Sequence, residues 1–280
     1  PYEYTQLVVT GTTKDGKLID ITRACQFDPP AGCAVSQSGL VCLDPSAETQ
    51  GSASLTIKLG DKSTTVTLAT ERAHDGSVDF VRDVNPVLSR LGCNHGTCHG
   101  AQKGKNGFKL SLRGYDPLYD LRALTDDLAA RRINAAAPAE SLMLRKPLGQ
   151  TPHEGGVLME PGDPYHAILR RWIADGSKLE LKSPRVTRLE IFPQNPVVQA
   201  VGTRQQVRLV AHYANGQSRD VTREAFIESG NTEVAKAERG GLLTAIRRGE
   251  AAILARYEGN YVASTLTVMG DRKGYQETST

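Results

Sequence analysis

The chain has 280 residues, 39% of them hydrophobic and 23% charged, and no apolar run approaches the roughly 20 residues of a membrane helix. A formal net charge of +3, with Lys and Arg spread along the chain, is too slight for a nucleic-acid footprint. That length allows two or three compact domains, and 5% aromatic content with a single tryptophan suggests small β modules rather than one large enzyme core. The chain starts at Pro1 without a signal-peptide pattern, so it is expected to be a processed form or a piece of a longer polypeptide.

In chain order, Leu7, Val8 and Val9 lead into the hairpin dipeptide Asp15-Gly16. Alternating stretches follow at Leu55 to Leu59 and Thr64 to Leu68, the period of half-buried strands. The far end repeats this. Asp15-Gly16-Lys17-Leu18-Ile19-Asp20-Ile21-Thr22-Arg23 matches Asn215-Gly216-Gln217-Ser218-Arg219-Asp220-Val221-Thr222-Arg223 at an offset of 200. Gly39-Leu40-Val41 answers Gly241-Leu242-Leu243, and Gly51 to Leu68 answers Gly249 to Val268. The Asp-Ile/Val-Thr-Arg, Gly-Leu-hydrophobic and Gly-x-Ala-x-hydrophobic steps resemble the group 2 bacterial immunoglobulin-like domain, which implies β-sandwiches serving as spacers or docking surfaces. They are placed at residues 1–72 and 183–271, with 272–280 a tail or linker to a following domain.

Between them, residues 73–182 change texture. Ser77 to Leu91 carries Phe80, Val81, Val84, Val87, Leu88 and Leu91 at helical spacing, with Pro86 marking an irregular first turn or a start near Asn85. Near the end, Asp163-Pro164 caps a helix whose apolar face is Tyr165, Ile168, Leu169, Trp172 and Ile173, and Gly176 stops it. Directly after the first helix comes Cys93-Asn94-His95-Gly96-Thr97-Cys98-His99. Two cysteines followed at once by a histidine are what covalent haem attachment requires: the thiols add across the porphyrin vinyl groups and the imidazole binds iron. Four residues, rather than the usual two, separate the cysteines. Zinc is the first alternative, but no second Cys pair or His cluster lies nearby to complete four ligands. A Cys93–Cys98 disulfide is the second, and it leaves His99 without a purpose. Helix, attachment loop, variable middle and closing helix follow the order of a small all-α class I-like cytochrome c domain, giving a multidomain chain with that domain between two all-β immunoglobulin-like sandwiches.

Leu91 to Gly104, Gly107 to Asp116 and Pro152-His153-Glu154-Gly155-Gly156 also resemble the cytochrome c-like region of large planctomycete proteins. The resemblance implies an exported, haem-bearing electron-transfer part of a longer polypeptide, with the Tyr275 to Thr280 tail preceding further domains. The expected function is electron transfer, without catalysis, by one covalent haem c on Cys93, Cys98 and His99, in a periplasmic or otherwise extracytoplasmic setting, with an unnamed redox partner protein. His99 is the fifth iron ligand. His153 is preferred as the sixth, giving bis-histidine ligation, with Met159 the alternative and Met143 further upstream. His95 is expected to be exposed or to hydrogen-bond behind the ligands, and His74, His166 and His212 to be ordinary. Lys103, Lys105, Lys109 and Arg113 suit haem propionates, an acidic partner or plain solvent. A vacant or labile sixth site would instead give a gas sensor or peroxidase-like enzyme. A third reading, an adhesion module for polysaccharide, finds few aromatic residues in the sandwiches. Of Cys25, Cys33 and Cys42, the pair Cys33–Cys42 is the preferred disulfide, with the other pairings open.

Overall fold

A computed structural model describes residues 3–44, 51–69 and 77–270. His74 and the Tyr275 to Thr280 tail lie outside the described residues. Three hydrophobic cores follow one another: Cys25, Val41, Leu55, Ile57 and Leu68 in the first module, a helical core from Phe80 to Ile173, and a larger one from Val186 to Val268.

The internal repeat becomes a repeated strand plan. In the first module Leu40–Leu43 lies between Tyr4–Gln6 and Cys33–Val35. Thr10–Thr12 pairs Leu18–Asp20, and Ser52–Leu59 lies between Gln26–Asp28 and Lys62–Ala69. The last module repeats each pairing with Arg204–Gln206, Arg208–Tyr213, Ser218–Asp220, Phe226–Ser229, Ala235–Ala237, Leu242–Ala245, Gly249–Tyr257 and Asn260–Val268. It adds Val186–Phe192, antiparallel to Arg208–Tyr213, and Val197–Val198, parallel to Asn260–Val268. In both copies an Asp and a Thr organise the turn after the second hairpin. Asp20 Oδ1 accepts from Thr22 N and Asp220 Oδ1 from Thr222 N, while the two Thr hydroxyls accept from Val9 N and Leu209 N.

The two copies dock on each other by exchanging the same contact. Gln6 N–H donates to Asp220 Oδ2 at 2.7 Å, and Gln206 N–H to Asp20 Oδ2 at 2.5 Å. Residue i meeting j while j meets i is the signature of a two-fold contact, here within one chain. Tyr4 Oη, donating to Glu224 at 2.5 Å and accepting from Arg223 N at 2.8 Å, extends it on one side only.

The expected fold class is corrected. The chain is mostly β with few short helices, and the middle segment is no sizeable all-α cytochrome domain. A wide turn at Phe80–Val84 leads into Asn85–Arg90, followed by Pro117–Thr125, Leu142–Arg145 and the 11-residue helix Pro164–Ala174. Glycines with positive φ at 92, 104, 107, 114, 149, 156 and 162 break the segment into turns, as does a left-handed run at Leu128 to Ala130. The β modules are likewise short two- to four-stranded sheets, and the immunoglobulin-like assignment is not kept. The expected Cys33–Cys42 bridge is corrected as well: all five cysteines are free. Cys33 stands opposite Leu43 and Cys42 opposite Ala34, so the two side chains point to opposite faces of the sheet.

The closing helix buries Tyr165, Ile168, Leu169, Trp172 and Ile173, with Asp163 capping Tyr165 N at 3.2 Å. Trp172 packs on Phe80 with ring centroids 5.1 Å apart and donates from Nε1 to the Lys178 carbonyl. This core carries the loop that follows.

Candidate functional site

The Cys93 to His99 loop is a tight knot of backbone bonds. Cys93 N donates to Leu88 O, tying the loop to the preceding helix, and His99 N donates to Cys93 O at 3.0 Å, closing it. Asn94, fully buried, donates from Nδ2 to Ser89 Oγ at 2.8 Å. Gly100 completes the turn. A Cβ there would lie 2.1 Å from the Asn94 carbonyl oxygen, so no other residue fits.

Both cysteines and His99 line one cavity of about 430 Å³, within the usual range for small-molecule and cofactor sites. Leu88, Phe108, Leu110, Leu124 and Met143 give it apolar walls, and His153 and Gly155 complete the lining. The structure therefore brings Cys93, Cys98, His99 and His153 together. Met159 lies elsewhere: it is 3% exposed in the helical core and borders a separate pocket with Glu160, Pro161 and Arg239.

The two histidines are held alike. His99 Nδ1 lies 3.1 Å from the Phe108 carbonyl, and His153 Nδ1 lies 3.1 Å from that of Gly156. A carbonyl can only accept, so in each ring it is Nδ1 that donates, and Nε2 is the atom left outside that bond. Burial lowers the His99 pKa and outweighs the Phe108 hydrogen bond, and the nearby His153 lowers it further, which keeps His99 neutral. Its ring packs on Phe108 at 4.5 Å between centroids. A Cβ at Gly155 would stand 2.9 Å from His153 Cε1, so a side chain there would push the imidazole aside. Burial, with the neighbouring Cys98, pushes the Cys93 thiol up to about 12, so in the free protein it stays protonated.

Cations ring the cavity. Lys105, one of the four expected, lines it and pairs with Glu154 at 3.4 Å. The others fall away: Lys103 is exposed, Lys109 lies over Tyr119, and Arg113 lines a different cleft. In their place stand Arg131, Arg132 and Lys146, which sequence reasoning missed. Arg132 is 8% exposed, donates to the Ala123 and Gly107 carbonyls and stacks 4.2 Å over Phe108. Local sequence pattern offers no sign of that burial. His95 points to the last module and meets Phe226 edge-on at 5.4 Å. His166 is half-buried on the closing helix, and His212 Nε2 lies 3.0 Å from Glu190.

Among the described residues no group of three or more His, Cys, Asp or Glu could hold a metal ion, which corrects the expectation of a metal-binding protein in that sense. No helix of the described residues is long and apolar enough to cross a membrane.

No family model matches the chain, and no curated protein matches it. Solved structures similar to it are parts of the S-layer protein SbsC. Domains 4 and 5 share 14% identity over 33% of this chain and 55% of that one, with a TM-score of 0.28. Domains 1–6 share 11% identity over 97% of this chain and 28% of that one, also at 0.28. The resemblance to a planctomycete cytochrome c domain with immunoglobulin-like flanks is corrected: no family model matches the chain, and its structure is mostly β with few short helices. At that TM-score the likeness leaves the functional argument to the site.

Proposed function

We propose that Cys93 and Cys98 hold one haem covalently in the 430 Å³ cavity, with His99 as its protein ligand, and that the chain serves in electron transfer outside the cytoplasm, in the periplasm in the finer form of the reading. The observation that carries it is the meeting of both thiols, His99 and His153 on one apolar cavity. The donor set fits the group. A porphyrin brings four nitrogens of its own, so iron needs only one or two side chains, and the two free thiols beside His99 are the groups a thioether attachment would use. His99 and His153 would bind through Nε2, each oriented by its Nδ1–H···O=C bond. Lys105, Arg131, Arg132 and Lys146 would face carboxylate groups at the cavity edge, and Leu88, Leu110 and Leu124 would exclude water. Bound there, haem would supply a one-electron iron centre whose potential depends on its axial ligands.

The test is the pyridine haemochrome spectrum of acid-acetone-extracted protein, made with a competent haem-attachment system. A retained c-type spectrum is expected, and its loss in Cys93→Ala/Cys98→Ala. Colourless wild-type protein would overturn the proposal. A second reading rests on the position of His153, in a turn whose residues 154–157 are exposed and where its own ring is tied by one backbone bond. A labile sixth ligand there would make a gas-binding or peroxidase-like site. Carbon monoxide uptake by the reduced wild-type protein supports this second reading, and uptake only after His153→Ala supports electron transfer.

A further inference from the structure

Val186–Phe192 has no counterpart in the first module among the described residues. Its neighbour in the last module is Arg208–Tyr213, and the strand matching that one, Thr10–Thr12, is left with a free edge. Ile21 N donates to Val9 O and Thr13 N to Lys17 O, so the odd positions turn their backbone groups toward Leu18–Asp20. Antiparallel alternation turns the N–H and C=O groups of Thr10 and Thr12 the other way, and both residues are exposed. Leu7 to Thr13 carries no charge or proline, the residues that ordinarily keep such an edge from pairing.

The core beside that edge is incomplete. Leu7, Val9, Ile21 and Phe27 are only partly buried, whereas Val207, Leu209, Val221 and Ile227, each 200 positions later, are buried. In the last module Ile191 stands opposite Leu209, and Leu189 opposite Ala211. No described strand pairs at the equivalent places beside Val9 and Gly11, and Ile19, opposite Gly11 on the other side, stays 38% exposed.

The second copy defines what fits: an extended strand with two branched aliphatic side chains two residues apart. The undescribed stretches of this sequence hold no such pair, since residues 45–50 read PSAETQ, 70–76 TERAHDG and 271–280 DRKGYQETST. A second copy of the chain fits no better. It would offer the same edge, whose Leu7 and Val9 already pack on their own module, so pairing two edges would complete neither core. The hairpin also belongs to an existing interface, because Asp20 accepts from Gln206 N of the last module, and an added strand would continue that contact surface.

We propose that the free edge of Thr10–Thr12 takes one extended, antiparallel strand from another polypeptide. Two branched aliphatic residues of that strand lie beside Val9 and Gly11, as Ile191 and Leu189 lie beside Leu209 and Ala211. Backbone bonds to Thr10 and Thr12 give affinity, and the aliphatic pair gives selectivity.

The test uses the full chain and a fluorescein-labelled peptide of its own residues 184–193, with binding followed by anisotropy and by amide hydrogen exchange. Saturable binding is expected, with slowed exchange over residues 8–12. Affinity is expected to fall about tenfold or more when the peptide carries Leu189→Asp and Ile191→Asp, and in the Thr10→Pro chain. Thr10 N–H points away from Leu18–Asp20, so that proline takes no bond from the hairpin, and the altered peptide tests the same contact on unaltered protein. Absence of saturable binding, slowed exchange confined to residues 208–213, or equal binding of the two peptides would overturn the proposal. So would a dimer in light scattering that Thr10→Pro abolishes, which would assign the edge to a second copy. Its failure leaves the haem reading untouched, since Cys93, Cys98, His99 and His153 lie in another part of the fold.

Discussion

Among the described residues the strand Thr10–Thr12 of the first module pairs only with Leu18–Asp20, whereas its counterpart Arg208–Tyr213 is flanked on both sides, by Ser218–Asp220 and Val186–Phe192. Among the described residues the first core comprises five buried side chains and the last twenty-one. The extra strand contributes Val186, Leu189 and Ile191 to the larger core, the last two beside Ala211 and Leu209, while in the first module Leu18 and Ile19 stay 63% and 38% exposed. The two copies also differ in what they grip. Arg219 reaches Asp83 of the helical segment at 2.6 Å, and its repeat counterpart, Ile19, reaches nothing comparable. A repeat thus preserves register and turn chemistry, while stability comes from what each copy is packed against.

The largest expected effect breaks the grip. Asp83→Ala leaves Arg219 buried without its carboxylate and should cost about 3–5 kcal/mol, whereas Ile19→Ala should stay within roughly 0.5 kcal/mol. Denaturant unfolding followed by Trp172, the one tryptophan, measures both. Next come the cores: Leu243→Ala should cost about 2–5 kcal/mol, and Val41→Ala at the matching position nearer 1.5 kcal/mol. Equal losses would show that the two modules are equally consolidated. Asp220→Asn should then destabilise more than Asp20→Asn, by about 1 kcal/mol, because Asp220 also receives Arg208 Nε at 3.0 Å and the Thr222 hydroxyl at 2.6 Å. Thermal melts of the two variants decide it.

A smaller effect appears with pH. Burial alone would raise the Asp83 carboxyl, but Arg219 and Arg82 outweigh it and hold the group below its usual range. A depressed folded pKa stabilises fully above the unfolded value, about 3.9, and that contribution fades as pH falls through the folded value. Acid should therefore loosen the helical segment from the last module below about pH 4. An acid transition in Trp172 fluorescence that is the same in Asp83→Asn would remove Asp83 from the account.

Much of this was legible as pattern. The offset-200 repeat announced paired hairpins, and the 3–4 spacing from Tyr165 to Ile173 announced a buried helix face. The Cys93 to His99 loop stood out because two cysteines and two histidines are packed into seven adjacent residues. What stayed hidden depends on distant partners. Nothing near Arg132 says that its guanidinium lies over Phe108, nor does anything near His95 point to Phe226. Residues from five stretches of chain line the cleft between the helical segment and the last module, so their aromatic rings looked sparse along the sequence. Cys33 and Cys42 misled for a plainer reason: a one-residue step in register separates two faces of a sheet.

The reciprocal Gln6–Asp220 and Gln206–Asp20 contact sets a schedule for synthesis. At roughly 5–20 residues per second, the first module leaves the ribosome on the order of 10–40 s before residues some 200 positions later can meet it. Throughout that interval its docking face carries Gln6 N–H and Asp20 without their mates. Because the face is self-complementary, an identical face on a neighbouring nascent chain is a competent substitute, and exchanged dimers are the error that crowded translation of this chain would produce.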